Sequence, residues 1–214
     1  MVNLETYTHH FVPSRTGSQN EDWTALLLHG TGGNEHDLIP LGQAIVPGAA
    51  LLSPRGLINE GGSARFFRRL AEGVLDQDDL LFRTHELADW VNVAMTHYER
   101  DQGKVVAIGF SNGANIAASM LLRGLPIPGA AVLLSPMLPF VPEARPDLIG
   151  RSVFLGSGRY DPLVPVEQAE ELESVLAAAG ATVDAYWFNG GHGLSQDELQ
   201  AAQLWAQDLT GGPE

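Results

Sequence analysis

Val105-Val106-Ala107-Ile108-Gly109-Phe110-Ser111-Asn112-Gly113, with the helix-like run from Asn112 to Arg123 behind it, is the stretch whose reading decides the fold. Four apolar residues lead into a G-x-S-x-G turn, and the turn opens a helix. In a strand–turn–helix setting that motif holds its serine in a tight, strained elbow. Gly109 and Gly113 leave room where a Cβ would clash. Ser111 Oγ then projects above the strand end, beside the first free N–H groups of the helix. A bare G-x-S-x-G is common by chance, but one wedged between a β-run and a helix is much rarer. Ser111 therefore reads as a nucleophile rather than a turn serine.

A nucleophilic serine needs a base, and the base needs an orienting carboxylate. Both partners follow in the chain order serine, acid, histidine. The run 151–156 reads as a strand leading into Gly158-Arg159-Tyr160-Asp161-Pro162-Leu163-Val164-Pro165. Asp161 falls just past the strand end, and Pro162 keeps it out of a helical conformation. Residues 182–188 alternate as a strand and run into Asn189-Gly190-Gly191-His192-Gly193, a loop from which His192 can reach Ser111. A turn-forming aspartate and a surface-loop histidine are the bland alternatives. The placement of each residue beyond a strand end favours the catalytic ones.

A tetrahedral intermediate also needs donors aimed at its oxyanion. The early strand 24–28 ends in His29-Gly30-Thr31-Gly32-Gly33, a loop of the kind that supplies one backbone N–H. The expected donors are the amides of Thr31 and of Asn112, the residue after the nucleophile. His29 is expected to shape the loop rather than act as a second base. The segment lacks the lysine and spacing of a phosphate-cradling loop.

Together, Leu28–Gly33, Gly109–Ala114, Asp161–Pro165 and Gly191–Gly193 resemble the phospholipase/carboxylesterase family of α/β-hydrolases. Within it the chain is most similar to the branch containing the bacterial methylhydroquinone-linked hydrolase. Ser53-Pro54-Arg55-Gly56 and Arg65-Phe66-Phe67-Arg68-Arg69 extend the resemblance over roughly residues 20–210. In the acyl-protein thioesterase branch, glutamine follows the serine and leucine follows the His-Gly. Asn112 and Thr31 stand here instead, which argues against carrying a long-acyl thioesterase activity over. The resemblance implies metal-independent hydrolysis of a small-molecule ester, with a thioesterase, lysophospholipase or perhydrolase as rivals on the same residues. A binding module that kept the fold without turnover is the more distant rival.

Alternating strands and helices fit one α/β domain over residues 1–214, a mainly parallel twisted sheet of about seven strands with helices on both faces. Strands are expected near 6–12, 24–28, 49–53, 104–109, 130–134, 151–156 and 182–188. Helices are expected near 35–46, 84–101, 112–123, 166–179 and 196–209. Thr84 is the expected cap of the second, whose Leu87, Val91, Ala94 and Tyr98 form a core-facing stripe. No large cap domain is visible. Residues 54–83 read as an irregular insertion near the site, and 211–214 as a loose tail. Phe66, Phe67, Met137, Leu163 and Val164 are the candidate substrate-pocket residues.

Twelve basic against 26 acidic side chains give a net charge of −14, a field that repels nucleic acid and anionic membranes. Arg55, Arg65, Arg68, Arg69 and Arg83 cluster against this background. Pairing with Glu72, Asp76, Asp78, Asp79 and Glu86 is the plain reading, and a positive rim for a carboxylate-bearing ester is the functional one. Cysteine is absent, which removes disulfide and thiolate chemistry. His9-His10, on a strand, cannot easily face one ion together. Asp76–Asp79 lacks calcium-loop spacing, so no metal is assigned. No dinucleotide fingerprint appears, so no cofactor is expected. The first residues lack the basic and apolar regions of a secretion signal, and no stretch is long enough to span a bilayer, so a cytoplasmic location is the expectation.

Overall fold

Near-continuous apolar runs are what strands buried on both faces require. In the computed structural model, which describes residues 2–211, those runs form the centre of a seven-stranded sheet. Its strands are β1 (His9–Val12), β2 (Thr24–Leu28), β3 (Ala50–Pro54), β8 (Val105–Phe110), β9 (Ala130–Leu134), β10 (Ser152–Gly158) and β11 (Thr182–Phe188). They lie in the order β1-β3-β2-β8-β9-β10-β11, with β1 antiparallel to β3 and the other pairs parallel. Every residue of β2, β3 and β9 is buried. The edge strand β11 is mostly uncovered and carries Asp184 at its middle, a charge that discourages edge-to-edge pairing.

Helices cover both faces. On one side α1 (Ile39–Ile45) and α5 (Gln196–Thr210) pack on a core built around Leu27, Leu51, Ile108, Val132 and Phe154. On the other, α2 (Gln77–His97), α3 (Asn112–Leu122) and α4 (Val166–Ala178) enclose Leu26, Leu28, Leu133 and Leu155. All eleven residues of α3 are buried, which its small side chains permit at the middle of the sheet. Gly113 sets this approach: a Cβ there would collide with the Leu28 carbonyl of β2. A Cβ at Gly109 would lie 2.6 Å from the Ala114 nitrogen.

Two helices differ from their expected limits. The second begins at Gln77, capped by Asp76, whose side chain accepts from the Asp79 N–H at 3.1 Å. Thr84 is not a cap. It is buried in mid-helix, where its hydroxyl bonds the Leu80 carbonyl and Ser119 Oγ of α3, each at 2.7 Å. The first helix begins at Ile39 because Asn34 and Asp37 close a polar turn ahead of it. The insertion holds two small hairpins before α2 starts: β4 (Ile58–Glu60) with β5 (Ser63–Arg65), and β6 (Arg69–Ala71) with β7 (Val74–Leu75). Of the tail, Gly211 closes α5 on the Gln207 carbonyl, and 212–214 lie outside the described residues.

A capping box starts α5: Ser195 Oγ accepts from the Glu198 N–H at 3.0 Å, and Glu198 Oε2 from the Ser195 N–H at 3.2 Å. Glu198 is fully buried with Oε1 unpartnered against Gly156, and burial pushes its pKa up from 4.5 to about 7. The folded state thus keeps this proton above the ordinary carboxylate range, and the stability it contributes is full below 4.5 and lost as pH rises through about 7.

Two outcomes follow from these contacts. Gly113→Ala should cost about 3 kcal/mol by forcing α3 off β2, read as a lower urea midpoint; an unchanged midpoint would contradict the close approach. Glu198→Gln, which cannot ionise, should flatten the decline in melting temperature between pH 5 and 8. The difference from wild type over that range should be about 3 kcal/mol, and identical pH profiles would rule the buried carboxyl out as its source.

Candidate active site

Because neighbouring strands are parallel, the loops after β2, β8, β9, β10 and β11 all open at the same edge of the sheet. Ser111 follows β8 with φ +51°, a backbone conformation unusual for a residue with a Cβ, as the G-x-S-x-G reading requires. It is pinned on both sides: its N–H donates to the Leu134 carbonyl, and its own carbonyl accepts from Asn115, both at 2.9 Å. Ser111 Oγ lies 2.9 Å from His192 Nε2, and His192 Nδ1 lies 2.7 Å from Asp161 Oδ2.

Asp161 is held as firmly as the imidazole it faces. Its Oδ1 accepts from the Leu163 N–H at 2.8 Å and the Val164 N–H at 3.0 Å. Its side chain is 3% exposed and that of His192 is 15%. With Nδ1–H directed at the carboxylate, Nε2 is left to accept a proton from Ser111. The loop bearing His192 comes close to β10 because Gly158 has no Cβ, which would meet the Gly190 and Gly191 carbonyls. The structure therefore brings together the three side chains that the sequence places far apart.

His29 is buried at the end of β2. Its Nδ1 lies 2.7 Å from the Gly30 carbonyl, and its Nε2 accepts from the Gly56 N–H at 2.9 Å. Burial lowers its pKa, which favours the neutral ring that these two bonds describe. It shapes the loop. Thr31 and Asn112 border the same cleft of ≈ 330 Å³ as Ser111 and His192. Asn112 Oδ1 accepts from the Phe66 N–H at 2.8 Å, tying the elbow to the insertion.

Met137, Leu163 and Val164 line this cleft, together with Arg65, Arg69 and Leu75 of the insertion. Phe66 and Phe67 do not. They are 1% and 0% exposed in the core, with Phe66 tilted against His29 at 4.7 Å between ring centres. Two aromatic rings beside a site are worth more as packing under its wall than as an exposed lining. Asn115 went unread in the sequence; its Oδ1 accepts from the Met137 N–H at 2.9 Å and holds that rim in place.

Of the five arginines, Arg68 pairs with Asp76 and Asp79, and Arg83 with Asp79 and Glu86, as the plain reading has it. Arg55 pairs instead with Glu35, and Arg65 and Arg69 share Glu60. A larger hollow of ≈ 510 Å³ lies between β10, β11 and α5, away from the serine–histidine pair. Among the described residues no three histidine, aspartate or glutamate side chains are grouped to hold an ion, and no helix is long and apolar enough to cross a membrane.

A family model for the dienelactone hydrolases matches residues 68–207. The chain is 48% identical over 187 residues to MhqD of Bacillus subtilis, which is named as a hydrolase; the match covers 87% of this chain and 94% of that protein. It superposes on the Bacillus cereus carboxylesterase with a TM-score of 0.90 at 42% identity, over 94% of each chain. It also superposes on YahD, solved with malic acid, with a TM-score of 0.88 at 32% identity, over 95% of this chain and 99% of that one. These likenesses bear out the resemblance read from the motifs: the chain belongs to the dienelactone hydrolase family of α/β-hydrolases, and its relatives support a carboxylesterase-like hydrolase.

Proposed function

We propose that the protein hydrolyses small carboxylic esters, with short acyl or aromatic groups, through a Ser111–His192–Asp161 triad and an acyl-enzyme. The observation that carries this reading is the unbroken relay from Ser111 Oγ to His192 Nε2 and from His192 Nδ1 to Asp161 Oδ2, with Ser111 and His192 lining the cleft. A cleft of ≈ 330 Å³ is at the small end of ligand sites, which favours compact substrates.

Ser111 Oγ attacks the ester carbonyl as His192 Nε2 takes the hydroxyl proton. Asp161 holds the imidazole in the tautomer that accepts there and stabilises the imidazolium. The amides of Thr31 and Asn112 donate to the oxyanion of the tetrahedral intermediate. The intermediate collapses as His192 passes its proton to the departing alkoxide, leaving the acyl group on Ser111. Water then gives a proton to His192, attacks the acyl carbonyl, and releases the carboxylic acid as the proton returns to Ser111.

Ser111→Ala should lower kcat/KM for p-nitrophenyl acetate by about 10⁴ to 10⁶; retention of most activity would overturn the assignment. Across p-nitrophenyl esters and acyl thioesters of increasing length, the short esters should be preferred. A preference for long acyl thioesters would favour the thioesterase reading instead.

A further inference from the structure

The turn from Gly30 to Gly33 closes on itself through the Gly33 N–H, which donates to the Gly30 carbonyl at 3.1 Å. Three of its four residues are glycine, Gly32 has φ +83°, and Thr31 is exposed. Glycine segments have the most conformational freedom to lose on ordering. A second constraint on Thr31 comes from outside the loop. It comes from β5: the Gly32 N–H donates to the Ala64 carbonyl at 2.9 Å, and Arg65 Nη1 donates to Thr31 Oγ1 at 2.6 Å.

Arg65 is itself immobilised. It is 4% exposed, its Nε donates to the Phe67 carbonyl at 3.2 Å and lies 3.3 Å from Glu60 Oε2, and its guanidinium lies 5.7 Å from the centre of the Phe67 ring. The planar fork of an arginine loses little further freedom once so held, which makes it a stiff strut. The next residue reaches the other side of the site, where the Phe66 N–H bonds Asn112 Oδ1. Residues 64–66 thus grip both Thr31 and Asn112.

We infer that Arg65 is a positioning residue of the oxyanion hole, acting through the Thr31 hydroxyl to keep the Thr31 amide aligned with that of Asn112. This rests on the oxyanion assignment proposed above. The serine, histidine and aspartate do not depend on the strut for their mutual geometry, so its loss acts on the transition state rather than on the relay.

The test is a double-mutant cycle with Thr31→Val, Arg65→Met and the pair, alongside Thr31→Ser and Ser111→Ala, using p-nitrophenyl acetate. Loss of a whole oxyanion donor costs about 10²- to 10³-fold, so a misaligned one should cost about 10- to 100-fold in kcat with KM changed less than about threefold. The double variant should be no slower than the slower single one. Thr31→Ser, which keeps the hydroxyl, should recover most of the loss. Thr31→Val alters an exposed loop, so it carries the test if Arg65→Met does not fold, with thermal melting as the check. Multiplicative losses in a folded pair, a loss confined to KM, undiminished kcat in Thr31→Val, or no recovery in Thr31→Ser would overturn the inference. If Ser111→Ala retains activity, the esterase reading itself fails; if only the cycle fails, that reading stands.

Discussion

The first turn of α3 lies against the end of β2, and Gly113 is what lets it. A side chain at that position would drive the helix off the Leu28 carbonyl and tilt the elbow before it. With the helix seated, Ser111 has little choice of backbone. It takes a positive φ, its amide is bonded to β9, and its hydroxyl meets His192 Nε2. The strain of such a conformation, about 1–3 kcal/mol, persists only where packing overdetermines it. A wholly buried helix on a wholly buried set of strands supplies that packing.

The parallel sheet does the rest by bringing chain segments to one edge. Thr31 follows β2, Ser111 β8, Met137 β9, Asp161 β10 and His192 β11. Adjacent strands in the order β8-β9-β10-β11 set the serine, acid and histidine within a few ångströms although 81 residues separate the first from the last. The field of the chain is strongly negative, yet Arg65 and Arg69 stand at the cleft, partly offset by Glu60, so the local electrostatics differ from the average.

Much of this was legible because the signals are local. The apolar runs gave all seven strands of the main sheet to within a few residues, and the glycines of the elbow announced a close approach before any partner was known. Reading failed where a distant contact decides the role. Gln77-Asp78-Asp79 looks like loop by polarity, but Asp76 caps it into α2, and Thr84 is left inside to bond Ser119, 35 residues away. Phe66 and Phe67 sit in a segment that builds the cleft wall, yet the bend between β5 and β6 buries both in the core beneath it. Arg65 could be seen only as one of a cluster, because nothing in its neighbourhood reveals Thr31 as its acceptor. Glu198 was more accessible, since Ser195-x-x-Glu198 is a capping-box pattern, although its full burial is not written in that spacing.

Reaction with a fluorophosphonate followed by peptide mass spectrometry tests the serine–histidine relay most directly. The account requires rapid, stoichiometric modification at Ser111 that slows by orders of magnitude in His192→Ala. Modification at another residue, or equal rates with and without the imidazole, would contradict it.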